Sequence, residues 1–144
     1  MFTAEEIETG KIYETTEVVF SEEDLIVGIL WEGDLEIHTN MEQMKTSVFG
    51  ERIVHGDSVA AKAIGQILNF DIFKWATTFD LKMAKYSFLS PVYIDDNLGV
   101  SFMVESKENK GEKEGWQFNI NFEVFKNTTE KKTVSKGGIL LVAA

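Results

Sequence analysis

The 144-residue chain has no cysteine, so disulfides, a thiol nucleophile and Cys-ligated zinc are excluded together. Basic residues are also scarce. Lys and Arg total 14 against 24 Asp and Glu, for a formal charge of −10, and Arg52 is the single arginine. Surfaces that bind nucleic acid or anionic membrane require clustered Lys and Arg, so neither partner is expected. No apolar run reaches the roughly 20 residues that span a bilayer. The opening MFTAEEIETG lacks the basic and apolar regions of a signal peptide, and the expectation is a soluble cytoplasmic protein. There are two histidines, His38 and His55, both in the first half, and any histidine-dependent chemistry must happen there. One proline, Pro91, marks an edge or a bend.

What is present is organised around residues 49–68, FGERIVHGDSVAAKAIGQIL. After Gly56, the apolar positions Val59, Ala60, Ala63, Ile64 and Ile67 recur at three- and four-residue spacing, which predicts a helix with one stripe facing a core. Its small residues, Ser58, Ala60, Ala61, Ala63 and Gly65, let other backbone come close. Gly56 at the start leaves free amides able to meet a partial negative charge.

The flanking sequence reads as strands and caps. Residues 11–20, KIYETTEVVF, suit a first strand. Ser21-Glu22-Glu23-Asp24 is a capping-box-like helix start, continued by Leu25, Ile26, Ile29 and Leu30. The segment 33–38 is irregular or extended, and Asn40 with Gln43 suits a short helical turn. Beyond Leu68 the pattern is extended. Strands are expected over 79–90, 98–106 and 115–125, with a last one through Ile139 to Val142; the third alternates Trp116, Phe118, Ile120, Phe122 and Val124 with polar residues. Four consecutive strands with short connections, together with one apolar helix, define a single α+β domain over residues 1–144 in which a curled antiparallel sheet surrounds the helix.

Three places carry residues able to do chemistry. Asp34, Glu36 and His38 bring a carboxylate near an imidazole whether the segment is extended or helical; such a pair can hold and polarise a water, or be a solvated loop. His55-Gly56 is either a tight turn needing positive φ or a place where a ligand approaches free amides. Gly56-Asp57-Ser58 superficially matches an esterase motif, but no histidine follows Ser58, which argues against a Ser-His-Asp triad. A metal site built from Asp34, Glu36, His38 and His55 lacks any recognised ligand spacing, and none is expected; nor is a cofactor. The eleven Phe read as core rather than as an acyl pocket.

Four blocks in order resemble the MaoC-like family of hot-dog-fold enoyl-thioester hydratases and dehydratases. They are the Ser21–Asp24 start leading to Gly33-Asp34 and His38, then Phe49-Gly50-x-x-Ile53-x-His55-Gly56, then Phe88-x-x-Pro91-Val92, and Asp95-Asp96-Asn97-Leu98. The resemblance implies a hot-dog fold, a homodimer, and hydration of trans-2-enoyl thioesters of CoA or acyl-carrier protein to (R)-3-hydroxyacyl thioesters, or the reverse dehydration. It further implies that Asp34 and His38 share the general-base and general-acid roles, and that substrate binds at His55-Gly56 with the Gly56 N–H on the thioester carbonyl. The family motif Asp-x-Asn-Pro-x-His is here Asp34-Leu35-Glu36-Ile37-His38, one residue shorter and without Asn or Pro. A hot-dog thioesterase and a non-catalytic acyl-thioester-binding subunit are the alternatives. Any site for CoA phosphates needs a local basic cluster, with Arg52, Lys82 and Lys85 as candidates.

Overall fold

The computed structural model describes residues 2–15, 17–21, 24, 54, 56–128 and 130–144. The helical and extended segments expected between residues 25 and 53 lie outside the described residues.

The strongest sequence signals become the two layers of the fold. Helix α1, Gly56–Leu68, buries Val59, Ala60, Ala63 and Ile67, the stripe its spacing dictates. Fully burying side chains such as Val59 and Ile67 is worth about 1.5–3 kcal/mol each, more than the propensity of so short a helix supplies. The stripe packs on one face of an antiparallel sheet formed by β1 (Ile12–Glu14), β2 (Val18–Val19), β3 (Phe79–Phe88), β4 (Asn97–Asn109), β5 (Trp116–Lys126) and β6 (Thr133–Ala143), in the order β1-β4-β5-β6-β3 with β2 also on β4. From the sheet side the core takes Leu98, Val100, Phe102 and Val104 of β4, Phe118, Ile120, Phe122 and Val124 of β5, and Ile139, Leu141 and Ala143 of β6. These buried Phe side chains are core, as their alternation with polar residues requires.

The two ends of α1 meet different surroundings. Beyond its last turn a 3-10 turn, Asp71–Phe73, buries Ile72 and Phe73, where the sequence suggested extended chain. There Phe70 meets Phe102 edge-on at 5.2 Å between ring centroids and Phe73 meets Phe118 at 5.5 Å, closing that end with aromatics. At its start α1 meets β3 instead, where Tyr86 and Phe88 approach Gly56. Val54 N–H donates to Val92 O at 2.7 Å, and Leu89 and Ser90 N–H donate to Val134 O at 2.9 and 3.1 Å.

Two expectations change in detail. The first strand is split into β1 and β2, both pairing with β4. The four later strands are not laid down in sequence order, since β3 pairs with β6 rather than β4. One edge of β4 is taken by β1 and β2 and the other by β5, which leaves β3 the free edge of β6.

Candidate active site

Asp34, His38 and His55 lie outside the described residues; the expected site residue within them is Gly56. It opens α1 as its first helical residue, so the reading as a left-handed turn does not apply: its backbone is helical, and no positive φ is found there. A Cβ placed on it would lie 3.4 Å from Phe88 Cδ2, an ordinary contact. Neither backbone conformation nor crowding demands glycine at this position. What glycine does provide is a first position without a side chain at the start of a thirteen-residue helix, where the backbone dipoles leave a partial positive charge.

β3 and β6 furnish the wall opposite. Tyr86 Oη donates a hydrogen bond to Gly56 O at 3.2 Å, fastening the first turn of α1 to the sheet. The Tyr86 ring stacks on Phe122, with centroids 6.3 Å apart and planes at 25°. Space for that ring comes from Gly137, where a Cβ would fall 2.9 Å from Phe122 Cζ and 2.8 Å from Lys85 O. Burial raises the Tyr86 pKa above the usual phenol range, and the Asp57 carboxylate adds to this while the Ser135 hydroxyl opposes it. The phenol therefore remains a donor across neutral pH. Ser135 itself is fully buried. Its hydroxyl stands beside the phenol but falls short of hydrogen-bond geometry, leaving Oγ without a partner. Phe88, paired with Ser135 across the strands, completes a wall that is apolar apart from two hydroxyls.

Tyr86 and Ser135 escape a reading of the sequence for a physical reason. Counting by two from Phe79 puts Lys85 and Ser87 on the inner face and Tyr86 outside. The register of β3 shifts between Met83 and Lys85, so one extra residue reverses the phase and turns Tyr86 and Phe88 inward. The Gly137-Gly138 pair inside a strand was the available clue, since glycines there mark close approach of another group.

A cavity of about 370 Å³ lies on the opposite, outer face of the sheet. In register, Ile12, Met103, Asn121, Gly138 and Lys85 form one row across the five strands, and Glu14, Ser101, Glu123, Lys136 and Ser87 form the next. Lys85, a candidate phosphate contact from sequence, thus lines this outer cavity and points away from Gly56. Among the described residues no three His, Asp or Glu are placed to hold a metal ion, and no helix is long and apolar enough to cross a membrane.

An antiparallel sheet packed on a central helix defines a hot-dog protein. Comparison with known proteins narrows the class. The family model for the MaoC like domain matches residues 6–123, and the chain belongs to that family. Among solved structures, R-hydratase PhaJ1 from Pseudomonas aeruginosa is 25% identical with a TM-score of 0.73, over 96% of this chain and 83% of that one. The (R)-hydratase from A. caviae involved in PHA biosynthesis superposes at a TM-score of 0.71 and 18% identity, over 96% of this chain and 98% of that one. A monoamine oxidase regulatory protein from Archaeoglobus reaches 0.76 at 24% identity, over 96% and 92%. The last two likenesses concern the fold. No curated protein sequence matches the chain.

Proposed function

We propose that the protein hydrates trans-2-enoyl thioesters of CoA or acyl-carrier protein to (R)-3-hydroxyacyl thioesters, or runs the reverse dehydration. The observation that carries this reading is the placement of Gly56, in a MaoC-like chain, as the first residue of a helix fastened to the strand that bears Tyr86 and Phe88. In the hydration direction Asp34 and His38 hold a water: one removes a proton as oxygen bonds to the β-carbon, and the other delivers a proton to the α-carbon. The negative charge that develops on the thioester oxygen between those events is met by Gly56 N–H. Loss of such a donor costs about 3 kcal/mol of barrier in other enzymes.

Two further features support the reading of a thioester-handling homodimer. The R-hydratase likeness covers nearly the whole chain, and among the described residues β3 leaves one edge unpaired while exposing Phe79, Met83 and Phe88. The experiment is the loss of enoyl-thioester absorbance on mixing with trans-2-enoyl-CoAs of graded length. Wild type turns over and His38→Ala loses at least about a hundredfold in rate; equal inertness of both at every length sinks the proposal. The shortened Asp34-to-His38 spacing favours one competing reading, an acyl-thioester-binding subunit without turnover. Saturable CoA binding by an inert wild type would establish it, and release of free thiol would instead identify a thioesterase.

A further inference from the structure

We propose that Tyr86 is a positioning residue for the oxyanion-binding amide of Gly56, with the buried Ser135 hydroxyl as the reserve partner of its phenol. The inference rests on the hydratase reading above and adds to it two residues on strands that the proton-transfer groups do not occupy.

The geometry forms one continuous chain of contacts. Gly137 leaves room for the Phe122 ring; Phe122 stacks on Tyr86 and sets the plane of its ring; the Tyr86 hydroxyl, in turn, donates to Gly56 O at 3.2 Å. Gly56, at the first position of α1, has no side chain to restrict φ and ψ. A hydrogen bond from a strand to its carbonyl orients the 56–57 peptide plane, and with the Gly56 backbone helical this limits, through its φ and ψ, the direction in which its own N–H points. An oxyanion donor is useful only when held in place before charge develops, and a displacement of about 1 Å is costly. Burial raises the pKa of the phenol above its ordinary value, so it stays a donor to Gly56 O across neutral pH. Ser135 Oγ, fully buried and unpaired, can donate to the phenol oxygen after a small rotation, polarising the bond to Gly56 further. A buried hydroxyl with no partner weakens a fold, so its place beside Tyr86 calls for a compensating role.

Tyr86→Phe keeps the ring and its stacking while removing only the hydroxyl. Steady-state turnover of trans-2-butenoyl-CoA should show kcat reduced about tenfold or more with KM within about twofold, and thermal unfolding close to wild type. Hydrogen exchange gives a readout apart from turnover. Ala60 N–H, the in-helix donor to Gly56 O, should exchange faster in Tyr86→Phe while Ile67 N–H does not. Ser135→Ala should be at least as stable as wild type and show a smaller fall in kcat. Unchanged kcat alongside faster Ala60 exchange would make Tyr86 a helix fastener only and overturn the proposal, as would a change confined to KM. If wild type proves inert, the hydratase reading fails separately, and titration with butyryl-CoA decides. A Gly56 amide resonance that shifts in wild type and not in Tyr86→Phe supports the positioning role, and equal shifts refute it.

Discussion

At Gly56 steric need and chemical use come apart, which makes the residue a direct test. A methyl group there meets Phe88 at an ordinary 3.4 Å, and alanine in place of a helical glycine gains up to about 1 kcal/mol. Gly56→Ala should therefore unfold at the same temperature as wild type or slightly higher. If the amide receives the thioester oxygen, the same methyl obstructs its approach, and kcat/KM should fall by about tenfold or more. A variant that is more stable and fully active would remove the ligand-binding reason for this glycine. Gly56 was legible in the sequence as the helix start because the three- and four-residue pattern begins immediately after it. Tyr86 was not, since the extra residue near Ala84 reverses the alternation of β3 and hides an inward phenol in what reads as the outward phase.

Among the described residues, Lys62 ties α1 to the segment before it. Lys62 Nζ donates to Val19 O at 3.1 Å, reaches Asp24 Oδ2 at 3.2 Å and lies 4.6 Å from the Phe20 ring centroid. Asp24 also accepts from Ser21 N–H at 2.8 Å, while Ser21 Oγ accepts from Asp24 N–H at 3.3 Å. The reciprocal cap was visible in Ser21-Glu22-Glu23-Asp24, because capping depends on spacing within one turn. The lysine came from 38 residues away, and nothing local encodes it. The Ser21 N–H bond is the main cause of a lowered Asp24 pKa, helped by Lys62. The folded state thus holds this carboxylate ionised at a pH where the unfolded chain has begun to protonate it. Its contribution is present above the ordinary value of 3.8 and is lost as pH falls through the lower folded value. With its side chain 39% exposed, the ion pair belongs among those worth about 1 kcal/mol or less. Urea unfolding of Asp24→Asn should show a lower midpoint at pH 7 and a shallower loss of stability on acidification. Parallel curves for variant and wild type would contradict this assignment.

For the whole molecule, the exposed edge of β3 sets the expected assembly. Phe79, Met83 and Phe88 are 39%, 42% and 41% exposed on a strand with one edge unpaired among the described residues, the combination proteins ordinarily cover or charge. Pairing of two β3 strands about a two-fold axis would join two sheets and cover these side chains. Light scattering should report a dimer, and Met83→Asp should shift it toward monomer; a wild-type monomer at micromolar concentration would refute the arrangement. The position of β6 has a consequence in time rather than in space. Its residues 133–143 lie between β5 and β3, so β3 has no sheet to join until they have been synthesised. During translation β4 and β5 can pair as a hairpin while the Phe- and Met-bearing β3 waits, which places its exposure to aggregation, and to chaperones, before the last strand leaves the ribosome.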